Sequence, residues 1–400
     1  MARRILIAGL AALLAVSSAE AAGRKAYKAA GFTSSVGLSR GMVFQASYLD
    51  PANPLAIAIG AGPLTSVRAH DATHTATYVH PTTGLVTVAT DNLLRIESTG
   101  ALIEDTRTNL ALQSETLGTT WAPTTCTVAA NQAVAPDGAS TAESLTATAG
   151  NATLLQTVTG TAVPYTFSVY LKRKTGSGAV QVRADSTNWT TCAGVNASTW
   201  TRCVDTRTLS VAAYTPGIRI ITDTDAVYAW GGQMEAGAWA SSYIGPTVAA
   251  AKIRNIDLLS VPRAGVVYDA GGTFAVTFDT TTVRANVPVW AGVLAIGADV
   301  FAALTAPTAI TATDGVNYGS TAIAASPDPG QFRITRSWSG ITWNGAADGV
   351  LATSEPYDGS WTNAAVDIGN RLGSPIWGHI SNLIFWNRAL TDNELKAVSR

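Results

Sequence analysis

The chain has 400 residues, enough for two or three domains that each bury a core of their own. Only 13% of its residues are charged, its formal net charge is −1, and it holds 36 Gly and 16 Pro. That balance excludes long helical repeats, which need more Glu, Lys and Leu, and it leaves no clustered surplus of Lys and Arg for nucleic acid, so the expectation is an all-β chain with many turns.

At the N-terminus, Arg3 and Arg4 precede an apolar run from Ile5 to Val16, and Ala19-Glu20-Ala21 follows as a small-residue cleavage site. Residues 1–23 therefore read as a secretory signal or as a retained apolar anchor, and the run is too short for an ordinary membrane-spanning helix. Residues 24–108 form a region of short apolar stretches broken by Gly, Pro and Asp. Within it, Thr75-Ala76-Thr77-Tyr78-Val79 and Gly84-Leu85-Val86-Thr87-Val88 alternate around a Pro-Thr-Thr-Gly turn and predict a hairpin.

From 109 to 247 the strand pattern strengthens. Tyr165-Thr166-Phe167-Ser168-Val169-Tyr170-Leu171 alternates strictly, which sends Tyr165, Phe167, Val169 and Leu171 to one face and Tyr170 to the other. Further strands are expected at Ala179 to Ala184, Thr199 to Asp205, Gly217 to Thr222 and Ala226 to Gly231, spaced as in a sandwich. Residues 248–263 read as a linker, and 264–400 repeat the style with strands at Thr273 to Phe278, Gln331 to Thr335, Gly340 to Trp343 and Ser381 to Trp386. Thr391-Asp392-Asn393-Glu394 is a capping box that starts a short terminal helix, Asp392 to Ser399.

The three cysteines, Cys126, Cys192 and Cys203, are too few for a disulfide scaffold and lack zinc spacing. Cys192 and Cys203 flank a turn-like Gly194 to Ser198, so a bridge across a hairpin and a pair of small buried side chains both fit. His70, His74 and His80 share parity if their stretch is extended, which would permit a metal site; exposed histidines beside turns are the plainer reading. Asp223-Thr224-Asp225 admits a calcium reading, but a cation needs six or more oxygens and solvated loop carboxylates are the plainer one, so no cofactor is expected. The chain carries no Gly-x-Ser-x-Gly elbow, His-Glu-x-x-His, phosphate loop or dinucleotide fingerprint, and is read as non-enzymatic.

Two stretches carry family likeness. Gly100-Ala101-Leu102-Ile103-Glu104-Asp105-Thr106-Arg107-Thr108-Asn109-Leu110 and its continuation to Glu115 resemble a linker of tailed-phage and prophage structural proteins that leads into a carbohydrate-binding-module-like sandwich. Trp121, Ala135-Pro136-Asp137-Gly138, Trp200-Thr201-Arg202, the string Val227 to Glu235 and Ser241-Ser242-Tyr243-Ile244-Gly245-Pro246-Thr247 follow in the expected order. The C-terminal region resembles a concanavalin A-like or laminin-G-like jelly roll through Trp343-Asn344-Gly345, Asp367-Ile368-Gly369-Asn370, Trp377-Gly378-His379-Ile380 and the string Ile384 to Leu395, without an acidic cluster for calcium. The resemblance implies two tandem antiparallel β-sandwiches of jelly-roll type in a tail-fibre, head-fibre or capsid-decoration protein of a virion, contacting host surface polysaccharide.

Sugars stack their C–H faces on exposed aromatic rings, so Tyr170, Trp189 and Trp200 in the middle region and Trp338, Tyr357 and Trp361 in the last are the candidate contacts. Most tryptophans of a sandwich fill its core, and Trp121, Trp230 and Trp386 read that way. The N-terminal region up to 108, with the weakest core signal, is expected to attach the protein to other virion proteins or to sister chains in a homo-oligomer such as a trimer, and its removal is expected to leave folded sandwiches. Two other classes compete: an exported bacterial adhesin or periplasmic lectin, secreted through the N-terminal segment, and a polysaccharide-degrading enzyme.

Overall fold

The computed structural model describes residues 42–47, 57–59, 65–68, 71, 73–161, 163–210, 212–264, 266–267, 270–280, 291–296, 299–306, 309–313, 318–322, 331–340, 342–352, 354–356, 363–370 and 373–400. The signal-like segment 1–23, His70, Tyr357 and Trp361 lie outside these residues. The described chain is all-β apart from two short helices, Leu117–Thr120 and Asp392–Val398. It divides into two compact units, each discontinuous in sequence.

The middle unit comprises residues 68–93 and 106–256. The alternation around Phe167 is realised in the long strand Pro164–Thr175, the fourth of a five-stranded antiparallel sheet ordered Cys126–Ala133, Ala142–Ala147, Ala226–Ala236, Pro164–Thr175, Thr201–Thr208. A second five-stranded sheet runs Thr190–Thr191, Val180–Arg183, Gly217–Ile220, Ala152–Leu155, Ala122–Thr124. Leu145, Phe167, Val169, Leu171, Val227 and Met234 from the first pack on Leu154, Val180, Val182, Ile218 and Ile220 from the second in one buried cluster. Burial of each such side chain contributes roughly 1.5–3 kcal/mol before the entropy of ordering is charged against it. Trp121 joins this core and donates its indole N–H to the Leu112 carbonyl at 3.0 Å, which disposes of the one polar atom it carries inward.

The disulfide between Cys192 and Cys203 spans 5.4 Å between Cα atoms. It does not close a hairpin. Cys192 follows Thr190–Thr191, with its amide bonded to Val180 of the second sheet at 2.9 Å, whereas Cys203 lies on Thr201–Thr208 of the first, so the bridge ties the two sheets together.

The other unit comprises the residues up to Val67, residues 94–105 and residues 257–400. One sheet is built around Gly378–Trp386, flanked by Met42–Ser47 and Gly271–Asp279, with Gln331–Ser339 and Thr342–Ala347 beyond and Gly100–Ile103 also pairing to Gly378–Trp386. The other runs Tyr318–Ala322, Ala309–Thr313, Asp299–Ala306, Ala291–Ile296, Ala365–Ile368, Leu258–Pro262, Thr65–Val67. Phe274, Phe278, Phe332, Trp338, Leu383 and Phe385 meet Leu259, Val261, Leu294, Ile296, Val366 and Ile368 in its core. The terminal helix closes the opposite face of the first sheet, where Leu395 and Val398 cover Ile384 and Trp386. Its capping box forms as expected, with the Thr391 amide donating to Glu394 at 2.8 Å and Thr391 Oγ1 accepting from the Glu394 amide.

Residues 24–108, the expected attachment region, are divided between the two units. Its described strands complete the two units: Ala76–Val79 and Val86–Ala89 belong to the middle unit, while Met42–Ser47, Thr65–Val67 and Gly100–Ile103 pair into the sheets of the other. Arg95 is fully buried between Glu104 (2.7 Å) and Asp257, so the segment 94–105 is bound to residues beyond 256 by charge as well as by strand pairing. Removing residues 1–108 would strip these strands and leave Asp257 without its guanidinium.

Candidate functional site

Because Phe167, Val169 and Leu171 face the core, Thr166, Ser168, Tyr170 and Lys172 face outward from the first sheet of the middle unit. The same parity turns Tyr228 and Trp230 outward from Ala226–Ala236, and Arg202 from Thr201–Thr208. Strand register then sets two rows side by side. Ser144, Tyr228 and Lys172 are successive partners across the sheet, and Trp230, Tyr170 and Arg202 form the row beside them.

The second row is a packed aromatic group. Trp230 lies 4.7 Å from Tyr243 and 5.8 Å from Tyr170 between ring centroids, and Trp200 and Val86 pack on the same cluster. Trp230 and Tyr243 are buried, while Tyr170, Trp200 and Tyr228 are half-buried and present ring area to solvent. Trp200 is held by a hydrogen bond from its indole N–H to the Val134 carbonyl at 3.2 Å. Cations flank the rings. Arg202 sits 5.4 Å over Tyr170 and donates to Ser241 O (2.6 Å) and Ser168 Oγ (3.0 Å). Lys174 sits 5.7 Å over Tyr228 and donates to Ser144 Oγ at 2.9 Å. Behind the cluster, the Tyr243 hydroxyl shares hydrogen bonds with Ser114 Oγ (2.7 Å) and Glu115 (3.0 Å). Burial, with a smaller push from Asp137, raises the Glu115 carboxyl to about 7 against the opposing effect of that hydroxyl.

Tyr170 and Trp200 are thus brought together, and Tyr228 joins them unforeseen. Its signal was the alternation of Val227 and Ala229, which turns Tyr228 outward. Trp189 is elsewhere: it lies against the second sheet, its ring centroid 4.5 Å from the guanidinium carbons of both Arg183 and Arg219. Trp338 is not a surface contact. It is 1% exposed and packed edge-on to Trp343 at 5.9 Å, because it shares parity with Phe332 and Ile334 and faces the core between the sheets.

Of the three histidines weighed as a metal site, the two described, His74 and His80, have separate partners. His74 Nδ1 pairs with Asp71 at 2.9 Å, and His80 Nδ1 accepts the Thr82 and Thr83 amides at 3.3 and 3.4 Å. Asp223 bonds the adjacent Thr224 amide, while Asp225 is buried and accepts from Gly178 N (2.7 Å) and Arg173 (3.4 Å), so the two carboxylates do not face a common ion. Among the described residues no group of three His, Cys, Asp or Glu side chains could hold a metal.

The chemistry available on the Tyr170 face is non-covalent: half-exposed rings for stacking, with hydroxyls and fixed cations beside them as donors. No family model matches the chain, and no curated protein matches it. Among solved structures, the chain is similar to the Trypanosoma rangeli sialidase in complex with 2,3-difluorosialic acid at 11% identity and a TM-score of 0.24, over 36% of this chain and 26% of that one. It spans about a quarter of the sialidase length. It is also similar to the N-terminal CBM22-1-CBM22-2 tandem domain from Paenibacillus barcinonensis Xyn10C, at 9% identity and a TM-score of 0.26, over 75% of this chain and 95% of that one.

Proposed function

We propose that the protein is a non-enzymatic virion protein of a tailed phage, a fibre, spike or capsid decoration, that binds host surface glycans through the outer face around Tyr170, Trp200 and Tyr228. The observation that carries the binding is the set of three half-exposed rings fixed on one rigid sheet with Lys172, Lys174 and Arg202 beside them. Rings held by strand register and by a packed layer beneath lose little entropy when a sugar stacks on them. The virion role rests on the ordered phage-type strings from Glu104 to Thr247 combined with the jelly-roll resemblance of the C-terminal region. A homo-oligomer would multiply weak single-site contacts into useful avidity.

The test is titration of the full chain with host surface polysaccharide, beside Tyr228→Ala and Trp200→Ala. Loss of one stacking ring should weaken binding about tenfold. Unchanged affinity in both variants would refute the assignment of this face, and absence of the chain from purified particles by mass spectrometry would refute the virion role. Shortening of the polysaccharide by the isolated protein would overturn the non-enzymatic reading. The run Ile5 to Val16 favours the second reading, an exported adhesin or lectin, and N-terminal sequencing separates the two: a start at Ala22 means export.

A further inference from the structure

We propose that Arg183, Arg219 and Trp189 form a second subsite, on the sheet opposite the Tyr170 face, that takes one anionic group, a carboxylate or a sulfate, of an acidic glycan. The inference rests on the glycan-binding reading and deepens it by naming the class of sugar.

Val182 and Ile218 face the core, so Gln181 and Arg183, and Arg219 beside them, face outward from the second sheet. Register aligns Thr191, Gln181, Arg219, Thr153 and Thr124 as one polar row across all five strands. Both guanidinium carbons lie 4.5 Å from the centroid of the Trp189 ring, and the two like charges repel, with Arg219 adding to burial in pushing the Arg183 pKa down. Such a pair is costly unless an anion answers it. Among the described residues, neither guanidinium has a carboxylate within ion-pair distance of 4.0 Å. The acid next in sequence, Asp185, spends its oxygens on its own loop: it accepts the Thr187 amide (2.9 Å), the Asn188 amide (2.7 Å) and Asn188 Nδ2 (2.6 Å). Burial pulls the pKa of both arginines down; for Arg183 the charge of Asp185 opposes this and that of Arg219 adds to it.

The guanidinium groups are also oriented. Arg183 donates Nε to Thr215 O (2.8 Å), Nη1 to Ser186 O (2.8 Å) and Nη2 to Thr215 Oγ1 (2.7 Å). Arg219 donates Nε (2.8 Å) and Nη2 to Gln181 Oε1, which leaves Nη1 for a ligand. With the indole occupied by cations, Trp189 acts as a positioning residue that holds the two forks together.

The experiment titrates the full chain with an oligogalacturonide (carboxylate), a sulfated dextran oligosaccharide and a neutral dextran oligosaccharide, following the Trp189 indole N–H by NMR. Binding of at least one acidic ligand with a shift of that resonance, weakened about tenfold in Arg219→Gln by loss of a charged hydrogen-bond donor, supports the subsite, and the stronger acidic ligand names its anion. Equal binding of acidic and neutral oligosaccharides, an unmoved Trp189 signal in the wild type, or unchanged affinity in a folded Arg219→Gln overturns it. The wild-type NMR titration decides the matter if that variant misfolds. Tyr228→Ala should leave the Trp189 shift intact, so failure of the Tyr170 face and failure of this subsite are read separately.

Discussion

His379 sets up a pH dependence whose sign and size both follow from geometry. It lies near the start of Gly378–Trp386, 8% exposed at the side chain, with Nε2 3.0 Å from Glu97 and Nδ1 2.8 Å from Asp279. Burial alone would lower its pKa, but the hydrogen bonds and charges of Asp279 and Glu97 prevail and raise it from 6.5 to about 9. The folded state therefore keeps a proton that the unfolded state releases between these values, so the contribution is fully present below pH 6.5 and is lost as pH rises through 9. The shift is equivalent to about 3 kcal/mol, which for a unit of this size lowers the melting temperature by about 6–12 °C. Urea or thermal melts from pH 6 to pH 9.5 on the wild type and on His379→Asn are the assay. The wild type should lose stability across this range while the variant, less stable at pH 6, should be nearly flat. Parallel slopes in the two proteins would refute the argument.

Glu115 gives a second pH effect in the middle unit: its carboxyl, raised to about 7 by burial, holds a proton the unfolded chain releases near 4.5, so stability present below 4.5 is lost as pH rises through 7. Glu115→Gln should match the wild type at pH 4 and equal or exceed it at pH 8 in urea melts; a wild type that gains on the variant from pH 5 to 8 would contradict this. Gly176 has φ +76° and an added Cβ would stand 1.7 Å from Asp225 Oδ1, so Gly176→Ala should cost about 2–4 kcal/mol. Gly194, at φ +80° with nothing within 4 Å of an added Cβ, should cost only about 1 kcal/mol when changed to Ala, and calorimetry of the pair separates strain from collision. The Cys192–Cys203 bridge closes a short loop of sequence separation 11, so reduction should lower stability by about 3 kcal/mol, with no effect of reductant on a Cys203→Ala variant.

The parts of the fold that were legible in the sequence are those fixed by local rules. Phe167 and its neighbours alternate with the pleat, and Thr391 and Glu394 satisfy each other's amides within one helical turn. Pairings set by distant segments were not legible. Nothing near Glu97 in sequence announces His379, 282 positions away, and the strand Gly100–Ile103 finds its partner in Gly378–Trp386. Trp338 misled for a definite reason. It shares parity with Phe332 and Ile334, so the alternation of Gln331–Ser339 turns it into the core between the two sheets. Trp189 sits in the loop after Val180–Arg183, where parity carries no information, and its two cations come from different strands. Tyr228 obeyed the alternation rule and could have been placed from it.

The discontinuous course of the chain also governs the order of events during synthesis. The middle unit has all its residues once Ile256 has emerged, whereas Met42–Ser47 and Gly100–Ile103 must wait for Gly378–Trp386. At ribosomal speeds of about 5–20 residues per second, that wait lasts roughly 15–60 s. Throughout it each strand, paired on one side by a local neighbour, offers to any nearby nascent chain the edge that Gly378–Trp386 will cover, the template for edge-to-edge association. Yield of folded protein should therefore rise with slower initiation and lower temperature, conditions that keep half-made chains apart.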